Sequence, residues 1–81
     1  MQTNEQPFPW QEMEQRARDM SACALFYART DARKAAEMAR DIEQQGFRVL
    51  KSEGYYMDEI SVYVREMRRR GLLDMEVRGN T

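Results

Sequence analysis

The 81-residue sequence contains no histidine, one cysteine, two prolines, four glycines and one tryptophan. Without histidine, the usual general base and the commonest transition-metal ligand are both missing. The single Cys23 can form no intramolecular disulfide and cannot build a zinc site alone. None of Gly46, Gly54, Gly71 and Gly79 falls in a phosphate-cradling pattern. No run approaches the roughly 18 apolar residues that a membrane span needs, and "MQTNEQPFPW" lacks the basic-then-apolar order of a secretory signal. These absences predict a non-enzymatic, cytoplasmic protein with no cofactor, no metal and no membrane partner.

Net charge is also scarce. Thirteen basic residues against fourteen acidic ones leave −1, too little for a general field that would attract polyanions. A chain this short makes one domain with a modest core, so its stability should be small. Residues 1–8 read as a disordered tail and 9–79 as a single small domain.

Methionine is plentiful, with seven residues. Trp10, Met13, Ala17, Met20, Ala24 and Tyr27 recur at helical spacing and predict a helix from 10 to about 28, although "ACALFYA" could also be a short buried strand. Within that run Cys23 is expected to behave as a small buried hydrophobe. Thr30-Asp31 then offers a cap for a second helix, with Ala32, Ala35, Ala36, Met38, Ala39 and Ile42 inward and Gly46 as its stop. "FRVLK" (47–51) alternates as a strand would. Asp58 can cap a third helix, in which Ile60, Tyr63, Val64 and Met67 face inward and Gly71 is the stop, and "LLDMEV" (72–77) alternates again.

A shift of 25 residues aligns "ARDIEQQGFRVLKSEG" (39–54) with "VREMRRRGLLDMEVRG" (64–79), which supports reading both as helix, glycine, strand. The predicted fold is therefore α+β and helix-rich: α-α-β-α-β with two short strands, the alternative being a mainly α helical bundle.

The candidate chemistry lies in side chains that bind. Asp58 and Glu59 beside Tyr55 and Tyr56 match no calcium loop and read as N-capping groups. Methionines outside the core, with Trp10, Tyr55 and Tyr56, would suit a protein surface. Arg68-Arg69-Arg70 end a helix, where cations interact favourably with the macrodipole, yet with Arg65 they also form a local basic patch. The span "MDEISVYVREMRRRGLLDMEVRGN" resembles the recognition helix and wing of winged-helix DNA-binding domains. That resemblance implies that Arg65, Arg68 and Arg69 face phosphates or base edges and that Arg78 sits on a wing.

The sequence as a whole predicts a small regulatory or inhibitor protein that binds another protein through Trp10, Tyr55, Tyr56, Arg65, Arg68 and Arg69. By size and analogy it fits bacterial accessory factors or phage-encoded inhibitors such as anti-CRISPR proteins. Nucleic-acid binding through the 58–70 helix is the alternative, and a homodimer is open.

Overall fold

A computed structural model describes residues 7–73. Three helices account for the order: α1 (Trp10–Asp19), α2 (Ala22–Gln44) and α3 (Glu53–Arg69). Among the described residues there is no strand, so the predicted α-α-β-α-β order is overturned and the fold is a helical bundle.

The first correction is at Met20-Ser21. Both residues are extended, with ψ of 147° and 163°, and the Ser21 side chain accepts the Ala24 N–H at 3.1 Å. A serine there satisfies one of the amides that a new helix leaves open, and this stops the predicted 10–28 helix at Asp19. Residues 22–28 are helical, and the helix runs on through Thr30. The Thr30 hydroxyl donates to the Phe26 carbonyl at 3.0 Å, so it is satisfied inside the helix and caps nothing.

At the far end of α2, Gly46 takes φ +94°, Gly46 N–H donates to Glu43 O and Phe47 N–H donates to Ile42 O. This pair of bonds closes the last carbonyls of the helix and needs a residue in the left-handed region, which glycine occupies without strain. Gly71, at φ +78°, ends α3 as expected.

"FRVLK" is a connection, not a strand. Alternation alone cannot make a strand, because the backbone still needs a neighbour to pair with. No other described segment is extended beside it, and Phe47 and Leu50 stand 66% exposed. Ser52 then caps α3 by accepting the Tyr55 N–H at 3.2 Å, so the cap lies six residues before the expected Asp58. In the second strand expected over 72–77, Leu72 and Leu73 are helical, and 74–77 lie outside the described residues, as do Met1, Met75 and Arg78.

α3 is the central element. Met13 and Ala17 of α1, Leu25 and Ala32 of α2, and Val62, Tyr63 and Met67 of α3 form the core, with Leu25 and Met67 fully buried. Ala36 and Ala39 are buried farther along α2. Small side chains at these positions let helices approach closely, but they bury little apolar area each. α1 runs parallel to α3, since Phe8 meets Tyr55, Glu14 meets Arg65 and Arg70 meets Ala17. α2 returns antiparallel, placing Ile42 beside Tyr56. No described helix is long and apolar enough to cross a membrane.

The packing makes a direct prediction for stability. Met67→Ala should cost about 2 to 5 kcal/mol in urea unfolding, as expected for emptying a closed core position. Phe47→Ala should stay within about 0.5 kcal/mol of the parent, because the ring is largely in solvent. A large loss for Phe47→Ala would show instead that its ring is covered by the bundle.

Candidate functional site

The two ends of α3 differ in chemistry. At its C-terminal end, Glu66 is buried, with a side chain only 6% exposed, and it accepts from Arg69 at 2.5 and 3.0 Å and from Arg70 at 2.6 Å. Arg70 also reaches across to α1, donating to the carbonyls of Ala17 at 3.1 Å and Arg18 at 3.0 Å. Those carbonyls belong to the last turn of α1; that of Ala17 already accepts the Met20 N–H at 3.2 Å, so Arg70 gives it a second donor and supplies one to Arg18. One guanidinium therefore closes the end of α1 while the Glu66 carboxylate holds it in place.

The hydrogen bond from Arg69 is the main cause that holds the Glu66 carboxyl down at about 2, against a burial effect that opposes it. Nearby, Arg65 pairs with Glu14 at 2.9 Å. Glu14, Ala17, Arg18, Val62, Arg65 and Arg69 border a cleft of about 210 Å³ between α1 and α3. Arg68 is exposed beside it.

Along the middle of α3, the Tyr63 hydroxyl donates to Glu59 at 2.5 Å. Burial, and then that carboxylate, push the phenol well above its ordinary range, so it stays protonated. Asp58 lies inside the helix, where its carbonyl accepts the Ser61 hydroxyl at 2.7 Å. Neither predicted carboxylate caps the helix. Among the described residues no three acidic or cysteine side chains come together as a metal site.

The N-terminal end of α3 is apolar and aromatic. Phe8, at the edge of the segment read as a tail, packs edge-on against Trp10 at 4.6 Å and Tyr55 at 5.1 Å between ring centroids. Tyr55 lies 5.9 Å from Tyr56 and carries the Lys51 ammonium 5.1 Å above its ring. Tyr56 in turn lines a groove of about 540 Å³ with Ala35, Met38, Ala39, Ile42, Val49 and Leu50, and Lys51 is the one charged residue among its walls. Met38 is 63% exposed and Met57 53%.

The predicted contact residues thus separate into two groups. Trp10, Tyr55 and Tyr56 gather at the aromatic end. Arg65, Arg68 and Arg69 lie ~14 to 20 Å farther along the helix at its rise of ~1.5 Å per residue. Arg65 and Arg69 are each engaged with a carboxylate.

Sequence reasoning missed Met38 as an exposed residue, Leu50, and the groove they share. A wheel drawn on Ala32, Ala36 and Ala39 would have found Met38, which projects about 100° away from Ala39. Leu50 was hidden by its assignment to a covered strand. Cys23, expected to be buried, is exposed because Ser21 re-phases α2. No family model matches the chain, and no curated protein or solved structure is significantly similar to it.

The depressed Glu66 group sets a pH dependence. A carboxyl that ionises more readily when folded contributes stability that is fully present above its ordinary value near 4.5 and is lost as pH falls toward about 2. The loss should amount to about 1 to 2 kcal/mol once screening of the solvent-exposed Arg69 is allowed for. Unfolding of the parent and of Glu66→Gln at neutral pH, pH 4 and pH 2.5 checks this: the parent's advantage should shrink as pH falls through that range. An advantage unchanged down to pH 2.5 would show that the ionised Glu66 carboxylate does not hold this helix end together.

Proposed function

We propose that this chain is a small cytoplasmic regulatory or inhibitor protein that acts without catalysis, by binding another protein at its apolar end. The observation that carries this reading is the groove walled by Met38, Val49, Leu50 and Tyr56, where Met38 and Leu50 stand largely in water. Such a groove takes an apolar side chain or the apolar face of a helix, with the aromatic group from Trp10 to Tyr56 adding rigid contact area. Methionine and leucine walls adapt to the shape they receive. A single cysteine left as a free thiol fits a reducing compartment.

Nucleic-acid binding is the second reading, favoured by Arg18, Arg65 and Arg69 meeting at one cleft with Arg68 beside them. Glu14 and Glu66 occupy the same place and oppose a phosphate backbone there. For this reason protein binding ranks first.

Two sets of variants separate the readings. Leu50→Asp and Met38→Asp should reduce binding to a protein partner more than about tenfold, whereas Arg68→Gln with Arg69→Gln should leave it nearly intact. A partner whose affinity survives both groove changes would overturn the first reading. For the second, affinity for duplex or single-stranded nucleic acid should fall steeply with salt, and no binding at low salt would dismiss it.

A further inference from the structure

The solvent face of α2 carries its own pattern. Tyr27, Asp31, Lys34 and Met38 follow one another at steps of four, three and four, so they form one stripe along the helix. The stripe faces away from Leu25, Ala32, Ala36 and Ala39, which are buried against the bundle. Tyr27 is 68% exposed and Met38 63%, and Asp31 and Lys34 are exposed between them. Large apolar groups at both ends of an outer stripe, enclosing one charge of each sign, make it self-complementary when it is reversed.

We infer that a second copy of this chain binds antiparallel along α2, with each Tyr27 seated in the groove of the other copy. In that register Tyr27 lies opposite Met38 of the second copy and Asp31 lies opposite Lys34, and twofold symmetry repeats both contacts. Antiparallel helices pair alternate seam positions in this way. Tyrosine on methionine is a favourable aromatic–sulfur contact, and Ala35, Met38 and Ile42 leave the hollow that the ring enters. A parallel pairing would set Asp31 against Asp31 and Lys34 against Lys34, so the charges fix orientation as well as register.

The pairing rests on the reading of the groove as a protein-binding surface and names one occupant for it. A single helix pair lies at the small end of interface sizes, so the association is weak and concentration-dependent. That does not make it unspecific, because the charge pairs reject the alternative registers.

Sedimentation equilibrium of the full chain from about 10 µM to about 1 mM tests it, with helical circular dichroism to confirm that each variant folds. The parent should rise from monomer toward dimer mass. Asp31→Lys and Lys34→Asp should each weaken association at least about tenfold, since each places like charges opposite one another. Mixing these two variants in equal amounts should restore the dimer, because the charges again oppose. Tyr27→Ser and Leu50→Asp should weaken it too.

A parent that stays monomeric to the highest concentration overturns the pairing. So does a dimer that neither charge reversal weakens, or one that survives Leu50→Asp. The groove as a protein-binding surface stands or falls separately, on whether Leu50→Asp and Met38→Asp release a different protein.

Discussion

The junction of α1 with α3 depends on one guanidinium placed between two helix ends. α1 and α3 run parallel, so their C-termini, each the negative end of a macrodipole, finish side by side. Left alone, that arrangement would place like partial charges together. Arg70 sits at the junction, donating to Ala17 and Arg18 of one helix while the last turn of the other holds it through Glu66. The arginine run at 68–70 therefore has an internal task. Arg70 joins the helices, Arg69 keeps Glu66 ionised, and Arg68 stands exposed.

The opposite end of the same helices is closed by other means. There the N-termini of α1 and α3 meet through Phe8, Trp10 and Tyr55, and α2 arrives antiparallel with Ile42 beside Tyr56. The connection from Phe47 to Lys51 covers these rings only in part: Lys51 lies over Tyr55, while Phe47 and Leu50 stay 66% exposed. Polar groups satisfy one another at one end, while hydrocarbon stays exposed at the other. That asymmetry leaves apolar surface in water at the aromatic end, where covering it would be favourable.

Much of the helical content was legible. Ala32, Ala36 and Ala39 marked the buried side of α2, Met67 and Tyr63 that of α3, and Gly46 and Gly71 both stops. The boundaries misled where two signals competed. Met20 and Ala24 keep helical spacing across Ser21, so the apolar period masked the serine cap that breaks the chain, and Thr30 looked like a cap although its hydroxyl has an acceptor one turn back. The strands failed for a different reason: alternation reports which side chains share a face, and the existence of a pairing neighbour is a property of the whole fold. The aromatic half of the candidate site could be named from Trp10, Tyr55 and Tyr56, but the groove could not, since it needs Met38 and Leu50 brought together from separate segments.

The two-residue break at Met20-Ser21 gives α1 an independence that its sequence neighbours lack. The helix is ten residues long, its N-cap makes no side-chain bond, and only Met13 and Ala17 of its side chains are buried. A segment so short cannot persist as a helix once it leaves its support. α1 packs on α3 less extensively than α2 does, and Arg70 donates to two carbonyls of its last turn, so loss of that guanidinium would weaken the hold on α1 while leaving the larger α2–α3 contact in place.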